Sequence, residues 1–484
     1  MKSLELKNNL KILLFIFIYI VFSCVSIYLE YHLLPVAMAF VLLVIFVSLY
    51  RIDWIYDLII FTTPFSIALR FIFEDKELPV DLFVPSEALI LITYGIVIFK
   101  IIDGQIPGKK FLRHPITIAI GINLLWIFIT SLTSTMPLVS LKFFLSRSWF
   151  LVVYFLLTLE FVDNHRKIYK YFYLYILGLI PVVIYSIIRL AKVDIFNKNV
   201  AHWVMNPFYS DHTSYGAIIA MLLPPVIGMF IVKKNNISER AFLFVIFLIL
   251  TIGLIFSYTR AAWLSIIFAM AVMFIVLLKI RFSILLIIIA VISFFVYSQW
   301  TEIEWLLEKN RKTSSVELVE HVQSITNITT DMSNLERLNR WSCAVRMFKE
   351  KPLFGWGPGT YMFQYAPFQL TSEKTLISTN MSDLGNAHSE YLGPLSESGI
   401  LGLLSFLAII IVTLLTGLNA YKYSKNNNTR VIILSLILGL CTYYFHGLLN
   451  NFLDTDKASA LFWGFTAILM ILQQESINKT NIKN

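Results

Sequence analysis

The chain has 484 residues, 58% of them hydrophobic and 15% aromatic, and only 14% carry charge. An ordinary soluble domain is excluded, because such domains are about one half apolar and about one quarter charged. The net charge of +9 lies mainly in short connections between apolar stretches, which points to orientation in a membrane and not to nucleic acid.

Apolar windows of about 18 to 22 residues, long enough to cross hydrocarbon, recur along almost the whole chain. About fourteen can be placed by this criterion, centred near residues 20, 41, 63, 92, 124, 155, 180, 222, 249, 270, 291, 408, 440 and 465. The first, Leu10 to Leu29, follows Lys2, Lys7 and Lys11 like a signal peptide, but no small-residue cleavage pattern closes it, so a retained span is expected. The expected fold is an all-α polytopic transmembrane helical bundle of about 12–14 spans with one long periplasmic loop domain. Its divisions are spans one to eleven over 1–299, the loop over 300–391, and the C-terminal spans over 392–484.

Alternate connections are basic: Arg51, then Lys109, Lys110 and Arg113, then Arg166, Lys167 and Lys170, then Lys233, Lys234 and Arg240, then Lys279 and Arg281, then Lys422, Lys425 and Arg430. The positive-inside rule therefore predicts both termini in the cytoplasm and the long segment Trp300 to Tyr391 outside. The connection bearing Glu74, Asp75, Glu77 and Asp81 is acidic, as an outer one should be. Cys24, Cys343 and Cys441 give neither a disulfide framework nor a metal cluster.

A connection as long as 300–391 is uncommon unless it has work to do or is disordered. Its middle, Lys312 to Met332, is rich in Ser, Thr and Asn and reads as flexible. Ser333 and Glu336 then have capping-box spacing, and Leu335, Leu338, Trp341, Val345 and Phe348 recur at helical intervals up to Pro352. On this amphipathic helix Arg337 falls at the edge of the apolar arc and Arg340 further round toward water. Pro352 to Tyr361 is glycine-marked and reads as a tight turn; it lacks the Lys-Ser ending of a nucleotide-binding loop.

His388 sits where the long loop runs into the next span, and an imidazole there can take a proton from a hydroxyl and release it without a cofactor. The bland alternative is a helix-end histidine that only contacts carbonyls or headgroups. Arg147, Arg189, Arg260, Arg337 and Arg340 lie near predicted outer span ends against the charge bias, which suggests anion binding. Arg260, wedged between two apolar spans, is expected to be buried there, with snorkelling to headgroups as the alternative. Two or three guanidinium forks suit a diphosphate, because each bonds it bidentately and stays charged.

In order, Ser257-Tyr-Thr-Arg260, Arg337-Leu-Asn-Arg-Trp341, Pro352-Leu-Phe-Gly-Trp-Gly-Pro-Gly359, Ala387-His-Ser-Glu-Tyr-Leu392 and Glu397-Ser-Gly-Ile-Leu-Gly402 resemble the O-antigen ligase and O-antigen polymerase superfamily, roughly over residues 200 to 460. The resemblance implies an inverting, metal-independent glycosyltransferase with no cofactor. It would move a glycan from an undecaprenyl-diphosphate carrier to lipid A-core or a glycan acceptor at the periplasmic face. His388 would then be the general base, with Arg260 and Arg337 on the diphosphate and Arg147 and Arg340 as further cations. The family commonly has Asn after the histidine, where this chain has Ser389. Ligase and polymerase are not separated by these motifs, and ligase is the preferred reading.

Glu390, Tyr391, Trp341, His212, His446 and Asp454 are candidate lining residues. Glu390 could steer the imidazole or be an exposed helix-start carboxylate, and Asp211 or Thr213 beside His212 could simply cap a helix. His446 and Asn450 are one turn apart. Asp454 and Asp456 have a metal-like spacing, but pairing of Asp454 with a site cation is the better reading. A flippase of the same amphiphile would need ionisable groups at span midplanes, whereas the charges here gather at span ends.

Overall fold

The computed structural model describes residues 33–72, 82–233, 236–281, 332–375 and 385–481, together with 284, 291, 294, 298, 299 and 378. The expected spans near residues 20 and 291 and the polar stretch up to residue 331 lie wholly or almost wholly outside the described residues.

The chain is an all-α polytopic bundle, and ten helices among the described residues are long and apolar enough to cross a membrane. Helices satisfy their backbone internally, which a segment in hydrocarbon requires. In chain order the helices, spanning or not, are α1 (Leu33–Thr62), α2 (Ser86–Ile102), α3 (Pro115–Leu132), α4 (Pro137–Leu151), α5 (Leu157–Phe161), α6 (His165–Val193), the short α7 (Lys198–Ala201), α8 (His212–Val232), α9 (Ile237–Ile255) and α10 (Arg260–Leu277). After the long connection come α11 (Met332–Glu350), the short α12 (Tyr361–Gln364), α13 (Leu392–Tyr423), α14 (Asn427–His446) and α15 (Asp456–Asn481). A five-residue π turn, Val152–Leu156, joins α4 to α5 into one span.

Two expectations change. The windows near 41 and 63 form one candidate span, Met38–Phe65, and Arg51 is a break inside α1 (φ −139°, ψ 59°), not a loop. Its charge is met locally by Asp53 at 2.9 Å and by the Trp54 ring at 4.3 Å, so no connection is needed to hold it. Past Phe65 the chain leaves the helix for a two-residue strand, β1 (Ile67–Ala68), paired antiparallel with β2 (Phe83–Val84).

Helices α8, α14 and α15 form the centre, each with 78% of its apolar window buried, whereas α1 and α10 have only 17% buried and stand at the rim. Tyr171 and Tyr175 of α6 bind α15 carbonyls, Tyr171 to Ala460 at 2.6 Å and Tyr175 to Lys457 at 3.0 Å. The alternation of the helices gathers the starts of α4, α8, α10, α13 and α15 and the ends of α3, α6, α9 and α14 at one end of the bundle. Thr259 Oγ1 donates to the His212 carbonyl there (2.8 Å), and Trp126 Nε1 to that of Ser398 (2.8 Å). The basic clusters from Lys109 to Arg430 lie at the other end.

The glycine turn after α11 is a wedge between elements. Gly357 (φ 115°) donates to the Glu397 carbonyl at 2.8 Å, and a Cβ on it would fall 1.9 Å from Ser134 Oγ. Trp356 accepts from Thr135 N at 3.1 Å, so the turn ties the α3–α4 corner to the start of α13.

Candidate active site

Helix α11 lies over the site end, turned differently from the expected arc. Its buried face is Leu335, Glu336, Asn339, Arg340, Cys343, Ala344 and Met347, while Leu338, Trp341, Val345 and Phe348 are only half-buried. The apolar periodicity misled because the helix buries polar groups that are paired. Glu336 is not a capping-box residue: it accepts from Arg340 Nε at 2.7 Å, from Thr375 Oγ1 at 2.9 Å and from Ser378 Oγ. Burial pushes its carboxyl up, but these partners outweigh burial and leave it below the usual range.

Arg340, expected toward water, is 4% exposed. Its guanidinium stacks on Tyr365 at 4.0 Å, and its carbonyl accepts from Tyr361 OH at 2.8 Å. A Cβ on Gly385 would lie 1.7 Å from Arg340 Nη1, so a side chain there would displace the guanidinium. Arg340 thus clasps the segment that delivers His388.

His388 has φ 47°, unusual for a non-glycine residue. Its N–H donates to Asn386 Oδ1 at 3.0 Å and its carbonyl accepts from Trp341 Nε1 at 3.4 Å, so Trp341 holds the backbone of the histidine. Burial, then the charges of Arg337 and Arg340, bring the imidazole down to about 4, against the opposing pull of Asp211 and Glu336. It is therefore neutral at pH 7, the form able to accept a proton.

Asp211 and Arg337 also act electrostatically on His446, which is 1% exposed, so four groups from α8, α11, α14 and the His388 loop share one neighbourhood. Asp211 caps α8 as foreseen, accepting from Thr213 N at 2.6 Å and Ser214 N at 2.8 Å, but its place beside both histidines was not legible in the sequence. His446 Nε2 lies 3.1 Å from Asn450 Nδ2. Arg337 is half-buried at this point.

Glu390 is neither exposed nor in contact with the imidazole. It is 5% exposed and accepts from Tyr443 OH (2.6 Å), Phe452 N (2.7 Å) and Leu453 N (2.9 Å), while its own N–H donates to the Gly447 carbonyl (2.8 Å). It zips the His388 loop to the α14–α15 connection. Burial pushes its carboxyl up, Asp454 adds to that, and Arg147 opposes it. Ser389 Oγ lies 3.4 Å from the same Gly447 carbonyl.

Arg147 donates to the Leu453 carbonyl at 3.0 Å and acts on Glu390, Glu397 and Asp454 together, so carboxyls surround it. Asp454 is exposed, and Arg147 acts on it to hold its carboxyl down against a rise from the surrounding protein. Asp456 is fully buried and turned to Ser66, Ser86 and Lys457, so the two aspartates do not form a joint metal pair. Among the described residues no group of three or more His, Cys, Asp or Glu side chains is arranged to hold a metal.

Arg260 opens α10 and is exposed, not buried, because the buried residues of this corner are the small Ser257 and Thr259. His212 stacks on His202 with ring centres 4.1 Å apart. Tyr391 donates to the Tyr444 carbonyl at 2.8 Å and packs edge-on against Phe406. Arg189 is spent on the Asn206 carbonyl at 2.7 Å and the Trp203 ring.

No curated protein matches the chain significantly. Residues 243–407 match the family model described as O-Antigen ligase, a stretch that carries Arg260, Arg337, Arg340, Trp341, His388, Glu390 and Tyr391 but not Arg147, His212, His446 or Asp454. Over this stretch the chain is similar to the O-antigen ligase family, a likeness that supports a membrane enzyme of the glycosyltransferase type.

Proposed function

We propose that the protein transfers a glycan from an undecaprenyl-diphosphate carrier to an acceptor hydroxyl, with inversion, at the periplasmic face of the bacterial inner membrane. The observation that carries this reading is a neutral imidazole, His388, sharing its surroundings with the fixed cation of Arg337. In the step, the acceptor oxygen attacks the anomeric carbon opposite the diphosphate and gives its proton to His388. The bond from anomeric carbon to phosphate oxygen breaks, and the electron pair leaves with the carrier diphosphate. A placed base is worth about 10² to 10⁴ in rate, and fixed cations stabilise the developing charge. Entry of the anionic diphosphate offsets Arg337 and raises the affinity of the imidazole for a proton, which strengthens it as a base when substrate is present.

Arg337 is the first diphosphate ligand and Arg260, at the exposed start of α10, the second. Arg147 and Arg340 serve differently from the sequence expectation, Arg147 pinning Leu453 and Arg340 clasping the His388 loop. The basic end of the bundle faces the cytoplasm, with the C-terminus, and residues 332–375 and 385–391 lie over the site outside. The acceptor is lipid A-core, the ligase outcome, and joining of carrier-linked repeats is the polymerase outcome. Incubation of purified protein with undecaprenyl-diphosphate glycan and each acceptor separately, followed by mass analysis, tests this. Transport of intact donor without cleavage would overturn it.

A further inference from the structure

Helix α13 is broken at Gly399 (φ 69°, ψ −167°), and the turn 352–359 is set into the break. The carbonyls of Ser396 and Glu397 accept from Trp356 N (3.2 Å) and Gly357 N (2.8 Å), and that of Ser398 accepts from Trp126 Nε1 of α3 (2.8 Å). On the far side of the break, Ile400 N donates to the Pro352 carbonyl (2.9 Å). A Cβ on Gly399 would fall 2.1 Å from the Leu353 carbonyl oxygen, so the tip of the turn lies directly on the helix. Main-chain groups beside the break are thereby met by protein, the condition under which irregular backbone is tolerated at membrane depth.

The tip stands at that depth. Helix α3 has 18 residues, about 27 Å, so it fits within a hydrocarbon core of ~30 Å. Phe354 stacks on Trp126 of this helix, with ring centres 5.7 Å apart and planes 18° from parallel. Trp126 comes six residues before the helix end, ~9 Å inside it. Leu353 is 60% and Phe354 45% exposed, which matches the outward residues of the two spans beside them, Leu125 at 59% and Leu401 at 45%. Before the tip come Lys349 and Glu350, both exposed, and Lys351, whose ammonium lies over the Trp356 ring at 4.0 Å. Charged residues thus give way to an apolar tip, as at the edge of a span, where lysines stay at the headgroups.

We propose that Leu353 and Phe354 are a membrane-inserted wedge whose partner is the acyl chains of the leaflet at the site end of the bundle. The two side chains continue the lipid-facing band of α3 and α13, and that band is already committed to hydrocarbon. A lipid headgroup would meet only Pro352, Leu353 and Phe354 at the tip, none of which has a charged or hydrogen-bonding side chain. Trp356 Nε1 donates to the Met347 carbonyl at 3.1 Å, which ties the wedge to the last turns of α11. The lipid therefore sets the height at which α11 lies over the site, whatever reaction the site performs.

The test uses full-length protein in nanodiscs of a single phospholipid. A photoreactive diazirine amino acid replaces Leu353, or Leu401 as the lipid-facing control, or Lys349 as the water-facing control, one position per sample. After irradiation the protein is digested, and its peptides are weighed and fragmented. The peptide labelled at Leu353 should gain the mass of one phospholipid, with fragments that place the new bond on an acyl chain, as for Leu401. The peptide labelled at Lys349 should carry mainly the water-quenched product. The same replacement at Phe354 gives an independent reading where the Leu353 protein does not assemble, and the same mass shift is expected. Water quenching at these two positions, a bond confined to the headgroup, or a cross-link to a peptide of the same chain or of a second copy would each overturn the wedge.

Discussion

Glu336→Gln separates a clasp from a substrate ligand. The carboxylate is the charged partner of Arg340, at 2.7 Å, inside a face where both residues are less than 10% exposed. Glutamine keeps the shape and one acceptor but removes the charge that answers the buried guanidinium. Removing one partner of a buried pair costs ~3–5 kcal/mol, and the retained amide puts this case near ~3. Spread over the segment that carries His388, ~3 kcal/mol is about 10² in the population of the correctly seated loop. Misplacement of a reacting group by about 1 Å has a similar cost. Steady-state transfer assays should therefore show kcat lowered by about 10 to 10²-fold with the donor KM within about threefold. Arg340→Lys should not escape the loss, because an ammonium cannot reproduce the fork and the stack on Tyr365. Wild-type kcat in Glu336→Gln, or a raised donor KM at unchanged kcat, would show that Arg340 acts on substrate and not on the loop.

His388→Ala should lose transfer by at least about 10²-fold while inserting and folding normally, checked by chromatography and turnover; wild-type turnover would remove the base. The pH profile of kcat/KM should keep its acidic limb near pH 4, since His388 must be neutral to act and is held at about 4. Arg337→Ala takes away a cation that lowers this value, so the limb should move to higher pH and donor KM should rise. A limb that stays in place would separate the two groups. Activity should persist in EDTA, and a loss that magnesium restores would revive Asp454 as a metal ligand.

The spans, the alternation of basic connections and the order of the motifs are linear properties. Hydrocarbon demands about 20 apolar residues in a row, and runs such as His212–Val232 and Asn427–His446 show it without reference to neighbours. Asp211 as a cap was legible for the same reason, being local. What α11 buries was not: its apolar positions predicted one face, and the structure buries Glu336, Asn339 and Arg340 on another because their partners, Gln369, Thr375 and Ser378, come from a distant loop. The exposure of Arg260, the enclosure of Glu390 and the pairing of Asp456 with Ser66 and Ser86 likewise depend on elements far away in sequence. The sequence by itself determined that the chain crosses a membrane and which side chains could do chemistry. Tertiary structure alone decided which of those side chains meet, because burial and charge pairing are set by packing between helices and not by spacing along any one of them.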